Sequence, residues 1–470
     1  MKDDRERVNI TEVRDEVSRQ ELLRRAAAGA IVLVYGGLGG KISVAGASKY
    51  THQALSGTLR ILQWSHFVPA YDRWFDNVYI KRWGERNDVE VKVDHINQAD
   101  LPARVAAEAA ARSGHDIVAL LAPAPQYENL VIDHKELVQE VTRKRGKMAR
   151  VAYKSTYNPK TKKYHGFSDS YAPDPIDYRI DLWREVGSKP TSWDRVLRAA
   201  PRLRAGGHPI GLGMSNEIDS NYFLMALMMC FGSYIQDSRA RVRLNSKATR
   251  EVLKFGRDLF RRGMTREIFA WTAASNNQAM LAGRLSLALN AISIPRSAEL
   301  QNPQLARNIG LLPIPEGPKG RLGLEHVMHT YMIWKFARNK RAARKFLVDL
   351  ELNYVEAFEN SKFYNFASWP RSVKNVRRRL QKDDPKGWPC GPCPPRGKYA
   401  VLDRISRKFT YNVGHPGFSN AAMGEIFDTW LIPEMFAQVA QGRMTPDEAA
   451  RAYHRRCARI FAKWRRRGLI

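Results

Sequence analysis

Three groups of residues have the types and spacing to do chemistry. In Cys390-Gly391-Pro392-Cys393 two thiols stand three positions apart, the spacing of a redox dithiol. A reactive dithiol needs its first thiol at a helix N-terminus, which depresses the thiol pKa. Pro389, Pro392, Pro394 and Pro395 exclude a helix here. The expectation is therefore a disulfide between Cys390 and Cys393 that pins a loop, as suits an oxidising compartment. Glu325-His326 with His329 has the composition of a zinc-protease helix, but that arrangement sets its histidines four apart with the glutamate between them. These stand three apart in a stretch that reads as a strand, so the imidazoles turn to opposite faces and no metal site is expected. In the third group, Ser215-Asn216-Glu217 and Asp219-Ser220-Asn221, six polar residues lie between a strand and an apolar helix. Such a run can cap the helix. It can equally hold ligand hydroxyls, with Asn216 and Glu217 as the contacts.

Other candidates follow strand-like segments. Trp64, Ser65 and His66 set an aromatic plate beside a hydroxyl and an imidazole, which suits a sugar ring with its apolar face and hydroxyl rim. The plainer role for Trp64 is to cap the core. Tyr127 follows a later strand, and Asp169 and Tyr171 lie where hinge hydrogen bonding is the competing role. Trp271, Asn276, Asn277 and Asn290 add amides that donate and accept at once. His415 and Phe418, with Asn420, precede a helix at 421–430. No nucleophile stands beside a base in any of these groups.

The elements that carry them alternate. Residues 59–64 read as a strand, Pro69 opens a helix, 89–93 alternate strictly, 101–112 form an alanine-rich helix, and 115–121 are a buried strand. Strand, helix, strand, helix, strand gives a parallel sheet with helices on its faces, whose ligands sit beyond the strand carboxyl ends. The pattern returns in a helix at 193–203, a strand near 210–213, a helix at 248–262 and a buried strand at 285–289. Residues 219–237 are uncharged between two aspartates, and their apolar part is too short to span a membrane, so a core helix is expected there. Two α/β lobes in one chain imply a cleft between them.

The 470 residues carry 77 Lys and Arg against 47 Asp and Glu, a net charge of +30, with 44% hydrophobic residues. That composition excludes a disordered or fibrous chain. Arginine runs at 143–145, 377–379 and 465–467 are scattered and accompany no nucleic-acid-binding module, so a solvated basic surface is expected and no nucleic-acid partner. Residues 1–47 read as an export signal: charges through Arg25, an uncharged run from Ala26 to Gly40, then Lys41 and Ala45-Gly46-Ala47. Ser18-Arg19-Gln20-Glu21-Leu22-Leu23 is similar to the twin-arginine motif, with Gln20 in place of the second arginine. The segment is too short for a lasting membrane anchor.

The order of several motifs resembles the bacterial family 1 extracellular solute-binding proteins, the maltose-binding type of receptor that feeds ABC importers. They are Gly166-Phe167-Ser168-Asp169-Ser170-Tyr171 with Pro173-Asp174-Pro175-Ile176, His115-Asp116-Ile117, Trp271 with Asn276-Asn277, Leu287-Ala288-Leu289-Asn290, and Ile309-Gly310-Leu311-Leu312-Pro313-Ile314-Pro315. A tail from Gly414-His415-Pro416-Gly417 to Gly442-Arg443-Met444-Thr445-Pro446 completes the set. The resemblance implies two Rossmann-like lobes of the type II periplasmic binding protein kind, 58–168 plus 331–366 and 171–328 plus 370–470. Crossings are expected near 168–171, 328–331 and 366–370. It further implies a monomer without cofactor or catalytic residues that closes on a solute and docks on a membrane permease. The residues above make the solute a sugar or oligosaccharide. An acidic solute, a secreted enzyme (dithiol oxidoreductase or carbohydrate hydrolase) and a polyanion-binding adhesin remain the alternatives.

Overall fold

The structure, a computed structural model, describes residues 54–470; the expected export signal at 1–47 lies outside them. Its strands are β1 (Thr58–Trp64), β2 (Glu90–Ile96), β3 (Ile117–Leu120), β4 (Tyr157–Asn158), β5 (Lys163–Tyr164), β6 (Phe167–Pro173), β7 (Pro175–Arg179), β8 (Ile210–Gly211), β9 (Leu287–Leu289), β10 (Ile309–Pro313), β11 (Gly323–Ile333), β12 (Phe366–Ala367) and β13 (Thr410–Tyr411). β1 is parallel to β2, with Thr58 opposite Glu90 and Trp64 opposite Ile96, and also to β3. Helices at Ile80–Asn87 and Leu101–Ala111 make the two crossovers, each ended by a residue in the left-handed region, Asp88 and Arg112. The sheet continues through β11, β6 and β12, each antiparallel to the strand before it, and β13 pairs in parallel with β11. On one face, Phe75, Tyr79 and Trp83 converge on Phe346 of the Lys340–Leu352 helix.

A second sheet runs in the order β10, β7, β9, β8. The Ile218–Cys230 helix enters its lobe with all thirteen residues buried, which is how a helix apolar all round is placed. Each of its large apolar side chains contributes about 1.5–3 kcal/mol by leaving water. The core helix expected from the uncharged stretch is thus present.

The chain passes between the sheets at three places. β6 becomes β7 across the single residue Asp174, β10 leads to β11 through 314–322, and 361–370 returns beside β6. Residues 168–171 and 328–331 lie inside β6 and β11, paired with one another, so the change of sheet comes at Asp174 and before Gly323. Continuous buried strands give no break in pattern by which a sequence could mark that point.

The β6–β11 ladder carries two irregularities. Glu325 pairs with Pro173 and Val327 with Ala172, leaving His326 as an extra residue; His329 pairs with Ser170 and Thr330 with Ser168, leaving Asp169 extra. A bulge re-aims the side chain that it inserts. Both inserted residues lie at the candidate site.

Candidate functional site

The first lobe's wall begins where β1 ends. Trp64 is 3% exposed, its ring edge-on to His329 with centroids 4.5 Å apart. Ser65 is exposed, and its N–H donates to the Ile96 carbonyl, 2.9 Å. His66 is buried: its Nδ1 accepts from the Val68 N–H at 2.9 Å, so Nε2 carries the hydrogen and donates to Asn365 Oδ1 at 3.1 Å. Burial pulls its pKa down to about 4, leaving a neutral imidazole. Asp169, turned inward by its bulge, accepts from the Ser170 hydroxyl at 2.9 Å and lies 3.1 Å from His329 Nδ1. Its other oxygen has no partner among the described residues.

The second lobe's wall is a chain of acids and amides. Asp219 lies 3.1 Å from His326 Nε2 and accepts from Asn276 Nδ2 at 2.6 Å. His326 Nδ1 lies 3.0 Å from Asp174. Burial alone would lower the His326 pKa, but Asp174 and Asp219 outweigh it and raise the value to about 10, so the imidazolium persists. Beyond Asn276 the amides close a loop: Asn290 Nδ2 donates to Asn277 Oδ1 at 2.9 Å, Asn277 Nδ2 donates to Ser293 Oγ at 2.9 Å, and Ser293 Oγ donates to Asn290 Oδ1 at 2.8 Å. Asp177, mid-strand on β7, is fully buried with both oxygens unpartnered among the described residues. Burial, with Asp174 beside it, holds its carboxyl far above the usual range.

Tyr364 lies on the crossing chain, against the first wall. Its ring meets His66 edge-on at 5.2 Å, while burial and the charges of Asp219, Asp174 and Asp177 push its hydroxyl well above the usual tyrosine value. Among the described residues that hydroxyl finds no hydrogen-bond partner. The lobes also touch directly: Tyr222 Oη donates to the Leu121 carbonyl at 2.9 Å, and Gln126 Nε2 donates to Asp428 at 2.7 Å.

The structure thus brings together Trp64, His66, Asp169, Asn276, Asn277 and Asn290. Other candidates fall elsewhere. Glu217 caps the Ile218–Cys230 helix, accepting from the Asp219 and Ser220 N–H groups at 2.7 and 2.5 Å, and Asn216 beside it is exposed. Trp271 precedes the Ser275–Leu281 helix rather than lying on it, half-buried against the core cluster that includes Met280, Leu285 and Ile294. Tyr171 shares the parity of Asp169, but the bulge separates them, and Tyr171 turns to Phe366, Ser406 and Asp403. Tyr127 packs edge-on against Trp334. His415 sits against Tyr411 and Tyr234, and Phe418 against Tyr153 and Tyr157, both in aromatic clusters that none of these contacts ties to the two walls. Sequence reasoning passed over Tyr364 and Asp177 and did not pair Asp219 with His326. For Asp177 the signal was an isolated acid within buried strand residues, as in Pro175-Ile176-Asp177-Tyr178.

Among the described residues, Glu299, Cys390 and Cys393 place three potential metal-ligand atoms within 4.8 Å of one another. The two sulfurs are joined as a disulfide. Both Glu299 oxygens are taken, one by Lys398 and Tyr399 and the other by Arg296 and Trp388. Two cations at that carboxylate oppose a third.

The profile of the bacterial extracellular solute-binding proteins matches residues 69–350. Binding proteins of Brucella abortus and Brucella suis are 25% identical over 175 residues, 36% of this chain and 42% of each relative, so the match spans less than half of their length. A sugar transporter of Arthrobacter chlorophenolicus with bound laminaribiose superposes with a TM-score of 0.71 at 13% identity, covering 86% of this chain and 99% of that one. Maltose-bound T. maritima MalE3 gives 0.69 at 14% identity over 86% and 99%. The two sheets and their crossings are therefore the two-lobed α/β fold of these proteins.

Proposed function

We propose a neutral carbohydrate as the ligand of this chain, which belongs to the bacterial extracellular solute-binding protein family. One observation carries the reading: a buried polar row runs from Asp174 through His326 on β11 to Asp219, Asn276 and Asn290, crossing from the first sheet to the other lobe. Carboxyls and amides in alternation suit a ligand that both donates and accepts at each hydroxyl. Trp64 supplies an apolar face nearby. Asp169, Asp174, Asp177 and Asp219 crowd the same region, which disfavours an acidic solute in spite of the +30 net charge of the whole chain.

Capture is by closure of the lobes, since a ligand shifts an open–closed balance only through contacts that are better in the closed form. The closed form then presents the solute to a membrane permease. The protein is exported through residues 1–47 and performs no catalysis. Among the described residues no helix is long and apolar enough to cross a membrane.

A thermal-shift screen over neutral mono- and oligosaccharides, acidic saccharides and glycerophosphates tests this. A ligand at a hundred times its Kd stabilises the native state by about 2.7 kcal/mol. Neutral saccharides should raise the melting temperature and be recovered intact by chromatography. Stabilisation by acidic solutes alone would overturn the carbohydrate, and cleavage of the saccharide would overturn the receptor.

A further inference from the structure

Three helices of the second lobe gather much of the chain's charge. The Trp193–Ala205, Lys247–Gly263 and Pro446–Arg466 helices hold seventeen Lys and Arg against five Asp and Glu, a net +12 of the chain's +30. They adjoin one another. The Arg204 guanidinium donates to the Arg261 carbonyl at 2.8 Å, Arg250 pairs with Asp447, and the Asn245 N–H donates to His454 Nδ1 at 3.3 Å.

The Pro446–Arg466 helix shows how a basic face arises. Tyr453, Cys457, Phe461 and Trp464 are buried on one side. Arg456 and Lys463 reach Glu434 and Glu425 on one flank, while Asp447 and His454 meet Arg250 and Asn245 on the other. At 3.6 residues per turn, the stripe left to solvent carries Arg451, Arg455, Arg459 and Arg466, spread over about 22 Å of the axis. Arg451 pairs with Asp447 of its own helix. Arg455, Arg459 and Arg466 have no acid partner among the described residues, nor have exposed Lys254, Arg261 and Arg262 on the neighbouring helix.

We propose that this face docks on an anionic phospholipid bilayer. Single charges spread across three helices match a plane of headgroup phosphates. A specific protein interface carries aromatic and apolar anchors at its centre. Among the described residues the exposed large apolar side chains are Val78 and Leu300, and neither lies on these helices. The same lack of an apolar wedge keeps the protein on the headgroups and out of the hydrocarbon. Each Lys or Arg held near such a surface strengthens binding about fivefold, and the attraction fades within a Debye length. None of these side chains belongs to the two walls, so docking and ligand capture draw on separate residues.

Sedimentation of the full chain with vesicles tests the face. The protein should pellet with equal parts phosphatidylglycerol and phosphatidylcholine at low salt, pellet far less with phosphatidylcholine alone, and be released by high salt. Arg455→Gln/Arg459→Gln/Arg466→Gln should weaken binding about 100-fold, and Arg459→Gln alone about fivefold. Lys160→Gln/Lys162→Gln/Lys163→Gln removes the same charge from the exposed β4–β5 hairpin and should stay within about twofold of wild type. Circular dichroism establishes that the variants fold. Equal binding to the two kinds of vesicle overturns the proposal, and equal losses in the two triple variants overturn the face as its site. Retention by duplex DNA without sedimentation on the mixed vesicles would give the face to a nucleic acid instead.

Discussion

Around Glu299 every oxygen is engaged, by Lys398, Tyr399, Arg296 and Trp388. Around Tyr364, Asp177 offers two oxygens and Tyr364 a hydroxyl with no protein partner among the described residues. Both regions are buried, and both are rich in ionisable groups. A satisfied buried network rigidifies a fold, while an unpaired buried polar group costs roughly 1–3 kcal/mol unless something else completes it. The difference separates scaffold from site more sharply than burial or charge does. Groups that the protein leaves incomplete are those that a ligand can complete.

The contrast is most exposed by stability. Arg296→Met leaves Glu299 and Asp383 as buried charges short of a partner, and should cost about 3–5 kcal/mol in urea titration. Asp177→Asn replaces an unpartnered buried carboxyl with an amide of the same shape and should stay within about 1 kcal/mol. Equal losses from the two would erase the distinction.

Affinity should run the other way. Asn276→Ala removes a donor to Asp219, and for the saccharide giving the largest thermal shift it should weaken binding by about 2–4 kcal/mol, roughly 30- to 1,000-fold, if it is a hot spot. Calorimetry reads the loss. Arg296→Met, assayed below its lowered melting point, should bind within a few-fold of wild type.

The smallest effect is in pH. Burial raises Glu325, beside the row on β11, to about 8 from an ordinary value of 4.5. A folded-state pKa above the unfolded one gives stability that is complete below about 4.5 and lost as pH rises through 8. His326, raised to about 10, acts in the same direction between 6.5 and 10. Glu299 is the opposite case: Arg296 and Lys398 overcome its burial and lower its pKa, so its contribution is lost toward acid. Alkali should therefore strain the row, and acid the Glu299 assembly. Unfolding free energies of wild type and Glu325→Gln, from urea titration between pH 5 and 8, should converge by up to about 1.4 kcal/mol per pH unit, with the variant the flatter.

The alternating elements of the first lobe, the buried helix at Ile218–Cys230 and the disulfide were all legible in the sequence. Their signals are local: period-two alternation, an unbroken apolar run, prolines around a C-x-x-C. The site was legible only in part. Asn276, Asn277 and Asn290 announce themselves as amides beside a strand end. Asp169 and His326 depend on bulges that exist only against a partner strand about 160 residues away. Glu217 reads equally as a cap or a ligand group, and it caps the helix, because the choice between those roles lies in backbone geometry. Tyr364 belongs to the site through its neighbours across both lobes, none of them near it in the chain.

The three passages between the sheets have a mechanical consequence. A single strip of chain linking two rigid plates leaves them free to twist, shear and fold. Three strips, one of them a strand continuous through Asp174 from β6 into β7, stiffen twist and shear and leave one soft axis across the strips. The direction of travel is thus built into the covalent path, and substitutions on the walls change what is held between the plates while the stroke stays the same.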